Sequence, residues 1–191
     1  MPDWKQPMTQ TFEYYVVDPE TWTNKYQITN VQACSIDRDS SSDTLGSGTL
    51  EITNDVGECY VRVYLVTVQN GVTEKHPLAT MLVQTPSTDY DGKVQKAAMD
   101  AYTPLIELKN NQPPIGYSLF KDDTNIMEMA YRLTRENVRA PVVKTSSDET
   151  LKEDFVAESE DNWAKFNKDL MSKAGYTQGQ FLCGLRRFSL R

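Results

Sequence analysis

A single histidine, His76, stands in 191 residues, and that scarcity removes most acid–base chemistry at the outset. Any Ser-His-Asp relay would have to use His76, which precedes Pro77 at a strand start, and no GxSxG accompanies it. Glycine-rich phosphate cradles are missing too: neither GxxxxGK[ST] nor GxGxxG occurs. The three cysteines, Cys34, Cys59 and Cys183, are widely spaced without a CxxC, which argues against a disulfide framework and a zinc set. Cys34 and Cys59 lie in strand-like runs and read as small buried hydrophobes. No apolar run approaches the ~20 residues that span a bilayer, so stable membrane insertion is not expected. The opening "MPDWKQPMTQ" lacks the apolar stretch of a signal peptide, and the chain reads as a soluble protein made in a reducing cytoplasm. Positive charge is short as well: 20 basic residues face 27 acidic ones, a net charge of −7. A sequence-specific nucleic-acid grip needs a basic face and is not expected.

What is present is β-sheet pattern. "TFEYYVV" (Thr11 to Val17) is aromatic and β-branched, and Asp18 and Pro19 end it. "KYQITNVQACSID" reads as one strand, "RDSSSDTLGSG" as a loop, "TLEIT" as a strand and "NDVG" as a turn. "ECYVRVYLVTVQ" is the clearest strand. Its alternation sets Val61, Val63 and Leu65 on one face and Tyr60, Arg62, Tyr64, Val66 and Val68 on the other. Asn70-Gly71 predicts a tight hairpin into "HPLATMLVQT". A polar turn, "PSTDYDGK", and a return strand, "VQKAAMDAY", follow. Large residues on both faces of the best strand fit either a strand covered within its own fold or an outer face that meets another subunit.

After Tyr102 the pattern becomes mixed. "TPLIEL" reads as one or two helical turns and "NNQPPIGYS" as a connector. "DDTNIMEMAYRLTREN" reads as a helix capped by Asp123 or Thr124. "VRAPVV" and "FVA" read as strands. "SEDNWAKFNKDLMSKAGY" is a helix with cap Ser159, stripe Trp163, Phe166 and Leu170, and stop Gly175. The ending "TQGQFLCGLRRFSLR" carries Arg186, Arg187 and Arg191 and no acid. The best metal candidate, Asp37, Asp39 and Asp43, alternates carboxylates but lacks the glycine and glutamate spacing of a calcium loop, and reads as solvated. No catalytic, cofactor-binding or metal residues are predicted, and the chain reads as a non-enzyme.

The segment "PLATMLVQTPSTDYDGKVQKAAMDAYTPLIEL" resembles one that recurs in baseplate hub, or tail-tip, proteins of long-tailed phages. There a "PLGTFLV"-like strand leads through a polar hairpin to an "AYD"- or "DAY"-like element and an apolar helical turn. Ala79 stands where glycine is usual. With "ECYVRVYLVTVQNGVTEKHPLATMLV", "NIMEMAYRLTRE" and "LKEDFVAESEDNWAKFNKDLMSKAGY", the resemblance runs from about Asp3 to Tyr176. Family members are generally longer, with a second barrel after the insertion.

The resemblance implies a mainly β fold with an α+β part. An N-terminal antiparallel β-barrel would span 1–103, an α/β insertion 104–176 and a basic tail 177–191. It implies a structural role in a phage tail tip, as one of three or six copies in a ring that lets DNA and the tape-measure protein pass. Expected partners are further copies, the tail tube or distal tail protein, the spike and other baseplate proteins, and the expected location is the virion tail. Residues assigned to contact between subunits are Tyr60, Arg62, Tyr64, Arg186 and Arg187. Two alternatives remain: a receptor- or carbohydrate-binding β-domain stacking sugars on Trp4, Trp22 and tyrosines, and a module associated with a cell-wall hydrolase.

Overall fold

The computed structural model describes residues 2–175 apart from 40, 54, 91, 114–116, 145–146, 159–160 and 174. The fold is mainly β, built on one large antiparallel sheet with a few short helices. Two compact units emerge, residues 1–37 with 47–103, and residues 38–46 with 104–191.

The first unit holds seven strands: β1 (Thr9–Val17), β2 (Asn24–Ile28), β3 (Val31–Asp37), β4 (Ser47–Thr53), β5 (Cys59–Gln69), β6 (Val72–Tyr90) and β7 (Gln95–Tyr102). They pair in the order β2-β1-β5-β6-β7-β4-β3. The two end strands are therefore consecutive in the chain, separated only by Thr29 and Asn30. Laid flat, seven strands would hold their outer members about 29 Å apart. Three Cα steps reach only about 11 Å. The sheet must therefore curl enough to bring its two end strands together at that linker; the mainly β class expected from the sequence is present, and the closed barrel is not seen among the described residues. Among the described residues, no ladder joins β2 to β3, so the roll is held together there by the linker.

Four of the six ladders carry a register shift, the local device that bends strands enough to close such a roll. Both prolines of β6 fall at these shifts. Pro77 pairs with Tyr64 where Leu78 is skipped, and Pro86 lies in the stretch where residues 85 and 86 oppose Met99 alone. A proline cannot donate to a ladder, so a bulge is where a sheet tolerates it. The polar run Ser87 to Tyr90, read from sequence as part of a turn, is thus strand, and the described residues between β6 and β7 are 92–94. Asn70 (φ 52°) and Gly71 (φ 76°) form the predicted hairpin turn with both residues left-handed. "KYQITNVQACSID" is corrected from one strand to two, because the chain crosses at Thr29-Asn30 from one end of the sheet to the other. Inside the roll, Val16, Ile28, Leu50, Val61, Met81 and Met99 belong to one buried cluster drawn from six strands.

The second unit holds α1 (Ile106–Asn110), β8 (Tyr117–Phe120), α2 (Ile126–Asn137), β9 (Phe155–Glu158) and α3 (Trp163–Lys173). β8 and β9 form an antiparallel ribbon. One face of it places Phe120 and Phe155 on Phe166 of α3, at ring distances of 5.0 and 4.9 Å. The predicted stripe Trp163, Phe166 and Leu170 is buried. The cap of α2 is Asn125, not Asp123 or Thr124: its side chain accepts from the Glu128 N–H at 2.8 Å. The expected strand "VRAPVV" is absent. Val138 gives its N–H to Thr134 to end α2, Arg139 gives its own to the Glu107 carboxylate, and Pro141 has none to give. Ser159, expected to cap α3, lies outside the described residues; there the Asn162 side chain accepts from the Lys165 N–H.

Candidate interaction face

Register places Tyr60, Arg62 and Tyr64 on the outer face of β5, beside Val17, Tyr15 and Glu13 of β1 and, across the other edge, Leu82, Thr80 and Pro77 of β6. The three sequence-assigned residues do come together, yet each in a different setting.

Tyr60 is 2% exposed. Trp22, from the turn between β1 and β2, lies edge-on to it with ring centroids 4.8 Å apart. Tyr60 therefore offers almost no surface, and the bulk on the outer face is covered at this end by the unit's own indole. Trp22 takes a left-handed backbone (φ 57°), a conformation that costs a bulky residue energy unless its surroundings impose it. Asp18 imposes it. Its carbonyl accepts from Trp22 N–H at 2.8 Å, and its carboxylate accepts from the N–H groups of Glu20 and Thr21. Those backbone donors, Thr21 first, hold the Asp18 carboxyl below the usual range.

Arg62 is half-buried in the middle of the face. Nε donates to Thr80 Oγ1 at 3.2 Å, Nη1 to Asn24 Oδ1 at 3.0 Å and Nη2 to the Trp22 carbonyl at 3.0 Å. All three acceptors are uncharged. Among the described residues no carboxylate forms an ion pair with Arg62. A guanidinium carries five N–H donors, so two remain for another acceptor. The arrangement is a cation held by three hydrogen bonds and, among the described residues, without a counter-ion.

Tyr64 accepts from Asn24 Nδ2 at 3.2 Å and stands edge-on to Tyr15 at 5.7 Å. Beyond it, Tyr15 and Lys75 both donate to Glu13 Oε2, at 2.7 and 2.6 Å. The Lys75 bond, followed by the Tyr15 bond, holds the Glu13 carboxyl below its ordinary value, and the same contact raises Lys75. A continuous chain of rings and hydrogen bonds thus runs from Trp22 through Arg62 and Tyr64 to Lys75. Sequence reading missed Asn24, Thr80, Glu13 and Lys75, because only strand pairing brings residues 38 and 62 positions apart into contact.

Arg186 and Arg187 lie outside the described residues. Trp4, proposed for sugar stacking, is 58% exposed and sits 6.0 Å from the ring of His76. His76 Nε2 approaches Thr67 Oγ1 at 3.3 Å and Glu74 at 3.6 Å. Both contacts use the same nitrogen, so the carboxylate does not orient the ring from its far side as a relay requires. Asp39 is engaged by Ser41 of its own loop and Asp43 by Lys168 at 3.2 Å. Among the described residues no three carboxylate, histidine or cysteine side chains are grouped to hold a metal. Burial raises both Cys34 and Cys59, the latter to about 11.

Comparison with solved structures places the fold. The 43 kDa tail protein of prophage MuSo2 from Shewanella oneidensis is similar over 88% of this chain and 50% of its own, with TM-score 0.60 and 12% identity. A tail protein from Neisseria meningitidis is similar over 88% of this chain and 47% of its own, with TM-score 0.65 and 11% identity. A lidless PdpA-VgrG complex matches over 88% of this chain and 32% of its own, with TM-score 0.51 and 8% identity. The chain thus spans about half the length of the two tail proteins and shares their fold. No family profile matches the sequence, and no curated protein does.

Proposed function

We propose that the chain is a structural, non-enzymatic component of a phage tail tip, a baseplate hub subunit that forms part of a ring between tail tube and spike. The observation that carries this reading is the fold shared, over nearly the whole chain, with a prophage tail protein and a second tail protein. The outer face supports it. Arg62 is presented with free donors and no counter-ion, beside Tyr64, and a carboxylate from the neighbouring copy would supply the missing charge. Contacts around a ring are head to tail, so the complementary acid need not lie on this face. Three or six copies would close the ring; the tube or distal tail protein, the spike and the tape measure would be its neighbours. A net charge of −7 suits a passage that DNA traverses without being held. The PdpA-VgrG match extends the same expectation to spike-like partners.

Gold-labelled antibody against this chain, applied to intact particles, should decorate the tail end distal to the capsid. Label on the capsid or along fibres, or particles lacking the chain altogether, would overturn the proposal.

A further inference from the structure

Arg62 has donors for an acceptor from outside its own chain, and another part of the same sheet offers one. β4 lies between β3 and β7. Leu50 and Ile52 of β4 point into the core, at 2% and 0% exposure, so Glu51 between them points outward. Its direct partners on the two neighbouring strands are Ala33 and Ala98, all three residues being exposed. The carboxylate thus stands with only a methyl group on either side across the strands. Among the described residues no cation pairs with Glu51. The same register places Asp37 and Asp100 on this outer face against Lys96, so its balance is acidic.

The outer face of β5 is the converse in charge and in height. Arg62 projects there between Tyr15 and Thr80 of the adjoining strands, with Tyr64 next to it along β5. Three ladders, β5-β6-β7-β4, separate the two faces in one direction, about 14 Å along the sheet, and the β2–β3 linker joins them in the other. In the curled sheet the two outer faces look away from each other, so Arg62 does not reach Glu51 of its own chain. A head-to-tail contact is the kind that joins two different faces of successive copies.

We propose that Glu51 of one copy is the carboxylate that completes Arg62 of the next, the small-residue face of β3, β4 and β7 receiving the taller face of β5. The inference rests on the ring reading and names the surface through which the ring closes. The two spare guanidinium donors match the two oxygens of a carboxylate. Ala33 and Ala98 leave room for the rings of Tyr15 and Tyr64 beside the pair. Neither partner gives up an ion pair described within its own chain. Two β5 faces brought together would set arginine against arginine, so the charges also select head-to-tail over face-to-face pairing.

Sedimentation of the full-length chain at rising concentration tests it by charge exchange. Glu51→Arg should weaken self-association by at least about fivefold with native far-UV dichroism, because the position is exposed. Arg62→Glu should do the same, and the two substitutions together in one chain should restore association. Asp37→Arg in place of Glu51→Arg should not restore it. Arg62→Glu also removes bonds to Trp22 and Asn24, so the Glu51→Arg result stands as a test by itself. Wild-type association in Glu51→Arg would overturn the pairing, and so would rescue by Asp37→Arg as complete as that by Glu51→Arg. A wild-type chain that stays monomeric throughout would remove the ring reading and this contact with it; association that ignores Glu51 would remove the contact alone.

Discussion

At the scale of single residues, the outer face shows how a charge can be fixed without being neutralised. Arg62 is aimed by three neutral oxygens, and Lys75 instead has a carboxylate partner. The two cations sit on one face with opposite prospects: Lys75 is spent within the fold, and Arg62 is available. Glu13 reports on this directly. Its carboxyl is held below the ordinary glutamate range, so the folded state binds its proton more weakly than the unfolded chain. The resulting stability is fully present above the unfolded value, about pH 4.3, and is lost as pH falls through the depressed folded value. Urea titrations of wild type and Glu13→Gln should therefore differ at pH 7 and converge only once the pH has fallen below the depressed folded value. A gap that is the same at both pH values would show that the Glu13 charge contributes nothing. No composition or spacing marked Glu13 or Asn24; their importance arises only from the strand partners they meet.

At the scale of elements, local chemistry was read well where a single backbone decision settles it. The Asn70-Gly71 turn is such a case, and so is the helix around Trp163, Phe166 and Leu170. Errors came where a distant partner takes the backbone groups. Thr29-Asn30 interrupts what looks like one strand, and Thr53 N–H donates to the Asn30 carbonyl from β4. Around Val138 to Pro141, the donors go to a helix end and a carboxylate, leaving none for a ladder. The cap of α2 was misplaced by one or two positions. Asn125 has a second reason to be there, since its Nδ2 also donates to the Ser147 carbonyl at 2.6 Å and ties the following segment to the helix start. Asn125→Ala should cost about 1 kcal/mol from the lost cap and more from the released Ser147 carbonyl. Asn125→Asp should recover the cap but not the second bond. A denaturation midpoint unchanged in the alanine variant would count against this account.

At the scale of the whole molecule, two compact units come from one chain, and each closes its surface differently. The first joins the two end strands of a seven-stranded sheet through a two-residue linker, which curls the sheet. The second leaves a two-stranded ribbon with one apolar face open. The proposed ring role requires association through the outer sheet face, so on that proposal light scattering should find the purified chain self-associating as concentration rises. Arg62→Glu and Tyr64→Ala should each lower that association at least fivefold while far-UV dichroism stays native. Association indifferent to both substitutions would move the contact to another surface. The likeness to the two tail proteins concerns fold, and the surface chemistry around Arg62 is this chain's own.

By itself, the sequence determined the alternation of β5, the strand-rich first half and the helical stripe of α3. Each depends on neighbours within a few residues, where side-chain periodicity and turn chemistry act. Tertiary structure alone decided that β2 and β3 lie at opposite ends of one sheet, that Trp22 covers Tyr60, and that Arg62 keeps donors to spare. Those outcomes depend on which strands pair and where bulges shift their register, and pairing energies sum over residues far apart in the chain.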